Sequence, residues 1–162
     1  MTVSIASDRL SSLMMLSIRP RHVAKILTGV KTVELRRARP AIAPGQPVAI
    51  YSTTPDAAVV ALCRVSGVDV DTPAALWPRV ATSSGIERAE FDRYFEDAEI
   101  AVALHLADVL TLKVPVSLGQ LRTGGPFQPP QTWHFLDQDR IARLFGDHPS
   151  HVELMDLVEA AS

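Results

Sequence analysis

Apolar residues recur with two different periods along this chain, and each change of period marks an element. Residues 16–18 form a short strand. Pro20 follows, where a first helical turn tolerates a residue without an N–H. Val23, Ile26 and Leu27 then recur at helical spacing, and Gly29 supplies the stop. From position 31 to 37 the period drops to two: Val33 and Leu35 face one way, Thr32, Glu34 and Arg36 the other. Residues 38–47 hold Pro40, Pro44, Gly45 and Pro47 and make a loop. Further strands are predicted over 48–53 and 58–68, on either side of a turn at Thr54-Pro55-Asp56.

Residues 73–79 read as a short helix anchored by Leu76 and Trp77. Ser84, with Glu87 three positions on, has the form of a capping box before a helix over 86–95. Phe91, Tyr94 and Phe95 make its apolar stripe. Residues 100–106 alternate most clearly: Ile100, Val102, Leu104 and Leu106 share one face, Ala101, Ala103 and His105 the other. Neither face is strongly polar, which places this strand inside a sheet. A brief helix over 115–121, a loop over 124–130, a strand over 131–136 and helices over 138–145 and 152–161 follow. Five or six short strands with small helices between them predict an α+β fold built on a compact β-barrel.

A chain of 162 residues fits one domain with a real core. Its 47% hydrophobic and 21% charged residues are those of a globular protein. The single cysteine, Cys63, excludes an internal disulfide and a Cys-based zinc site, and its apolar surroundings predict a buried, inert thiol. His148 and His151 stand three apart with no carboxylates at ligand spacing, so no metal or other cofactor is expected. His105 reads as a satisfied core histidine. No apolar run approaches the ~18 residues that span a bilayer, so no membrane partner is expected. Residues 1–14 lack the apolar stretch of a signal peptide and read as a flexible extension of a cytoplasmic protein.

The net charge of −2 conceals a polarity. Between positions 19 and 39 seven basic residues stand against Glu34 alone, giving +6; the remaining nine basic and seventeen acidic residues give −8. A concentrated basic patch on an acidic body points to an anionic ligand bound at one place.

The centre of that patch, Gly29-Val-Lys31-Thr-Val-Glu34-Leu-Arg36, follows a strand and a glycine-stopped helix. It resembles the Gly-x-Lys-x-x-Glu-x-Arg stretch of the ASCH family. The resemblance extends over roughly residues 15–136. It takes in the strand and turn at 48–55, the strand at 58–68, a variable helical insertion around Leu76-Trp77, and Pro129-Pro-Gln-Thr-Trp133. It implies a PUA-like barrel over 15–136, with residues 137–162 as a helical extension packed on it. It also implies a cleft beside the motif that binds RNA or nucleotides. Some ASCH members are amidohydrolases acting on acetylated cytidine, and others are linked to ribonuclease activity. The leading expectation is a module recognising single-stranded RNA, a nucleotide or a modified nucleoside. The alternative is a small hydrolase acting on acetylcytidine-type nucleosides or on RNA. The amidohydrolase members pair a lysine with a threonine three positions on; here Lys31 is followed at that distance by Glu34, with Thr32 one step out of place.

Lys31 and Arg36 lead the candidate anion ligands, one a point charge and the other a planar fork suited to phosphate. Glu34 can orient either cation, accept a hydrogen bond from a base amino group, or act as a general base. Catalysis, if present, falls to Lys31, Glu34 and Thr32, although neighbouring strand residues face opposite ways. Arg19, beside Arg21, stands at a helix N-terminus, whose free N–H groups attract anions. Tyr51, Ser52 and Thr53 end a strand at a turn and can reach a phosphate or sugar, and Tyr51 or Trp133 can stack a base. Surface ion pairing, turn capping and core packing are the structural alternatives at these positions. Lys31→Ala and Arg36→Ala are expected to weaken ligand binding and leave the fold intact.

Overall fold

A computed structural model describes residues 9–161. The first eight residues of the expected extension lie outside the described residues. A 3₁₀ turn at Arg9–Ser11 leads into β1 (Leu13–Ile18), α1 (Pro20–Leu27), β2 (Val33–Arg36), β3 (Gln46–Ser52) and β4 (Ala58–Asp71). Then come α2 (Pro73–Val80), α3 (Arg88–Tyr94), β5 (Ala101–Ser117), α4 (Leu118–Arg122), β6 (Trp133–Leu136), α5 (Gln138–Phe145) and α6 (His151–Ala161). The strands form one six-stranded sheet in the order β2-β5-β4-β3-β1-β6, curled into a half-barrel. Every neighbouring pair is antiparallel except β1 with β3.

β1 explains why its sequence does not alternate: all six residues of Leu13–Ile18 are buried. Leu13 and Met15 enter a core shared with α4, α5 and α6, while Met14, Leu16 and Ile18 enter a second core with Val23 and Ile26 of α1. A strand covered on both faces carries a continuous apolar run. It therefore begins two residues before the boundary placed at position 15. α1 ends at Leu27 with Thr28 as its C-cap, and Gly29 follows with a φ of +82°, a conformation glycine adopts without a Cβ penalty.

β4 and β5, at 14 and 17 residues, are the longest strands. Their register slips at three places, and at one of them β5 takes an extra residue around Asp108, whose φ is +53°. Such bulges bend a strand and raise its twist, which curls the sheet. β5 runs through Pro115 to Ser117, so the helix expected over 115–121 shrinks to α4 and is capped by the Ser117 side chain. Pro115 lies between two paired stretches, Thr111 with Ala61 and Val116 with Val59, where a missing N–H costs no ladder bond.

The insertion between β4 and β5 forms a third core. Leu76, Val80, Phe91 and Phe95 pack on Val33 and Leu35 of β2 and on Ala101 and Ala103 of β5. Ring centroids stand 4.9 Å apart for Trp77–Phe91 and 4.6 Å for Phe91–Phe95. The expected capping box does not form: α3 starts at Arg88, and its N-cap Glu87 makes no side-chain cap. Ser84 is fully buried instead, in a turn held to the start of β2 by hydrogen bonds from the Thr32 and Val33 amides to the Ser83 carbonyl.

Two readings of single residues change or sharpen. His105 is not a core histidine; its ring is 40% exposed and pairs with Asp69 at 2.8 Å across β4 and β5. Cys63 is fully buried, and burial pushes its thiol up to about 12. At the far end of the chain, Ile141, Leu144, Phe145, Leu154 and Val158 pack against β1 and β3. The α6 carbonyl of Leu157 accepts a hydrogen bond from Arg64 of β4 at 2.9 Å.

Candidate functional site

The curl of the sheet brings its free edge β2 back towards β1, and the seam between them opens into a cavity of about 900 Å³. Arg36 crosses that seam: its Nη2 donates to the Ser17 carbonyl at 2.9 Å. Ser17 is itself tied to the loop before β6, with its amide donating to the Thr132 carbonyl and its hydroxyl to the Pro130 carbonyl. One wall is therefore β2, the second is β1 with the loop leading to Trp133, and α1 and α3 close the remaining sides.

At the cavity's floor the motif residues form a chain of opposite charges. Arg36 Nη1 lies 2.9 Å from Glu34 Oε1, and Lys31 Nζ lies 4.0 Å from Glu34 Oε2. Lys31 donates to the Ser84 carbonyl at 2.7 Å. Lys31 and Glu34 are 3% and 5% exposed, unusual for charges outside a site. Burial holds the Lys31 ammonium below its ordinary range, with Glu34 opposing that shift. Glu34 Oε2 and Arg36 Nε have no hydrogen-bond partner among the described residues. A buried carboxylate oxygen left unmatched beside two cations is costly in a fold and is a natural point of contact for a ligand donor.

The rim is mostly positive. Arg19, Arg21, Arg37 and Arg93 stand around it with Glu90 as the acidic member. Glu90 bonds Arg21 at 2.8 Å, which holds its carboxyl below the usual range, and lies 3.6 Å from His22 Nε2. Tyr94 donates to the Leu35 carbonyl at 3.2 Å, and Arg37 donates to the Tyr94 carbonyl at 3.1 Å. Arg19, Arg37 and Arg93 have no carboxylate partner among the described residues.

Two imidazoles, His22 on the cavity wall and His134 on β6 beside Phe127, make stability pH-dependent. Burial, reinforced by Lys31 and Arg21, lowers the pKa of His22; burial and Arg140 lower that of His134. Below their ordinary value of 6.5 the unfolded chain takes up protons that the folded chain refuses. Stability is therefore expected to fall as pH drops from about 7.5 to about 5.5. His22→Gln should flatten that slope, as read from urea midpoints at the two pH values. An unchanged slope in the variant removes His22 from the account.

The structure brings together Arg19, Lys31, Glu34, Arg36, Thr53 and Trp133, all of which line the cavity. It does not bring Thr32 there. β2 starts at Val33, so strand alternation does not govern Thr32, which is exposed and lines a smaller, separate hollow beside α1. Tyr51 is 3% exposed and packs in the core beneath α4–α6, on the other face of β3. Ser52 is fully buried and donates to Asp56 at 2.7 Å within its own turn. Neither lines the cavity. Glu90, Arg93 and Tyr94 join it from α3, about sixty residues from the motif. Nothing in their local sequence signals this; only the packing of the insertion on β2 brings them near.

Over 133 residues the chain is 32% identical to the ASCH domain-containing ribonuclease of Zymomonas mobilis subsp. mobilis, an overlap of 80% of this chain and 87% of that protein. The chain belongs to the ASCH family. No family model matches it. The crystal structure of ASCH from Zymomonas mobilis superposes with a TM-score of 0.77 at 28% identity, covering 85% of this chain and 96% of that one. The N-terminal domain of Staphylothermus marinus McrB shares the fold alone, with a TM-score of 0.50 at 10% identity. The ASCH structures match the half-barrel, so the PUA-like expectation holds for the sheet that carries the motif.

Proposed function

We propose that this ASCH protein is an RNA-binding module that takes one unstacked base of a single strand into the cavity and holds the flanking phosphates on the rim arginines. The observation that carries this reading is the buried Lys31–Glu34–Arg36 cluster, set in a cavity of about 900 Å³ whose rim carries Arg19, Arg37 and Arg93 without carboxylate partners among the described residues. That volume is within the range of nucleotide-sized sites. Sequence-specific RNA proteins read unstacked bases by hydrogen bonds and aromatic stacking, and half-buried Trp133 supplies a flat surface on the wall. The acidic body outside the patch disfavours extensive duplex binding. The ribonuclease name of the Zymomonas relative belongs to that protein, and here it supports RNA as the ligand class. The acetylcytidine-type hydrolase receives no such support, because Thr32 stands outside the cavity.

The test is the affinity of the full chain for labelled single-stranded RNA across a salt series, with the same samples run on a denaturing gel. About four phosphate contacts, from Arg19, Arg21, Arg37 and Arg93, predict a log–log slope near −3. Salt-sensitive binding with intact RNA supports the module. Shortened RNA moves the protein to the ribonucleases, and no binding ends the RNA reading.

A further inference from the structure

The cavity wall already holds an anion, and the protein itself supplies it. Glu90 of α3 turns its carboxylate towards the first turn of α1. Its Oε1 accepts from Arg21 Nη1 at 2.8 Å, and its Oε2 lies 3.6 Å from His22 Nε2. One carboxylate thus faces a guanidinium and an imidazole together, and all three residues line the same cavity. The contact is open to water: the Arg21 and Glu90 side chains are 55% and 27% exposed. A pair this exposed contributes little to stability and gives way easily. Phe91, the next residue, is buried in the core on β2 and fixes α3. The Glu90 side chain can therefore swing away while its helix stays in place.

We infer that Arg21 and His22 form a phosphate subsite of the cavity, which Glu90 fills in the free protein and gives up to a phosphodiester when RNA binds; the inference rests on the RNA reading above. A carboxylate and a phosphodiester present the same pattern, two oxygens sharing one negative charge, and arginine donates to either. Glu90 is then an internal competitor that sets the affinity of the site. Arg19, Arg37 and Arg93 differ from Arg21 in this respect, since no carboxylate among the described residues holds them. The His22 ring sits among Arg21 on its own helix, Lys31 and Glu34 at β2, and Glu90 on α3. Burial, then Lys31 and Arg21, disfavour its charged form in the free protein. A phosphate at Nε2 brings a negative charge beside the ring and favours the imidazolium. The complex therefore binds more protons than the free chain, and affinity rises as pH falls.

The experiment is a double-mutant cycle on the full chain, with labelled oligouridylate as the probe. Its ends are hydroxyls, so nothing on the RNA titrates near neutral pH. Glu90→Gln is expected to bind about fivefold more tightly than the parent. Arg21→Ala should cost about twofold in the parent, where Glu90 already occupies the guanidinium, and about tenfold in the Glu90→Gln background. The double variant then binds like Arg21→Ala alone. If Glu90 acts only through its general field, Arg21→Ala costs the same factor in both backgrounds, and that result overturns the subsite. The second readout is pH. Glu90→Gln should gain about fivefold in affinity from about pH 7.5 to about 5.5, and adding His22→Gln should abolish most of that gain. A flat profile, or a gain that survives His22→Gln in full, removes His22 and overturns the subsite as stated. Both overturning results leave RNA recognition standing, whereas failure of the parent and every variant to bind overturns the RNA reading as well.

Discussion

Arg36→Ala is expected to cost about 3–5 kcal/mol of stability, the range for removing one partner of a buried ion pair. The sequence expectation was loss of binding with an intact fold. The structure gives this guanidinium two tasks: it neutralises Glu34, whose side chain is 7% exposed, and it ties β2 to β1 through the Ser17 carbonyl. Without it, a buried carboxylate keeps only an ammonium 4.0 Å away, and the seam of the half-barrel loses its strap. Arg36→Lys should recover little, because one ammonium does not reproduce a fork that reaches both Glu34 and Ser17. Adding Glu34→Gln to Arg36→Ala should restore part of the loss by removing the stranded charge. Urea unfolding checks this. With a slope of about 1–3 kcal/mol per molar, the Arg36→Ala midpoint should fall by about 1 M or more. An unmoved midpoint makes Arg36 a ligand group alone.

The combined Arg19→Ala, Arg37→Ala and Arg93→Ala variant is expected to lose about two orders of magnitude in affinity for single-stranded RNA near 0.1 M salt. Each phosphate contact on a single strand contributes about 0.7 to the log–log salt slope, so three lost contacts lower it by about 2. All three side chains lie on the cavity rim, are exposed and lack carboxylate partners among the described residues. Exposed positions of this kind should leave unfolding within about 0.5 kcal/mol of the parent. The paired measurement separates rim from floor: the triple variant loses affinity and salt slope with stability kept, whereas Arg36→Ala loses stability first. A triple variant with parental affinity would place the RNA path elsewhere on the surface.

Much of this site was legible in the chain because strand alternation and helix punctuation are local. Pro20 and Gly29 bound α1, and the alternation of Val33 and Leu35 with Glu34 and Arg36 assigns faces on β2. The family resemblance pointed to the same stretch. Thr32 was misplaced because alternation was extended two residues ahead of the strand's true start at Val33. Tyr51 and Ser52 sit beside Thr53 at the end of β3, yet only Thr53 lines the cavity. The pairing slips there, with Val60 of β4 as the extra residue, and helices packed later in the chain cover Tyr51. β5 was read at less than half its length because Pro115 and a bulge interrupt a pattern that pairing with β4 sustains.

By itself the sequence determined the α+β class, the order of most elements, the concentration of positive charge around the motif and the identity of its central trio. The first three follow from periodicity, punctuation or composition within short windows, and the trio from the resemblance of its stretch to the ASCH motif. Only the tertiary structure decided that Lys31 and Glu34 are buried, that Arg36 straps the barrel's seam, and that α3 lends Glu90, Arg93 and Tyr94 to the cavity. Those facts depend on how far the sheet curls and where the insertion lands, and both are set by bulges and packing between residues distant in the chain.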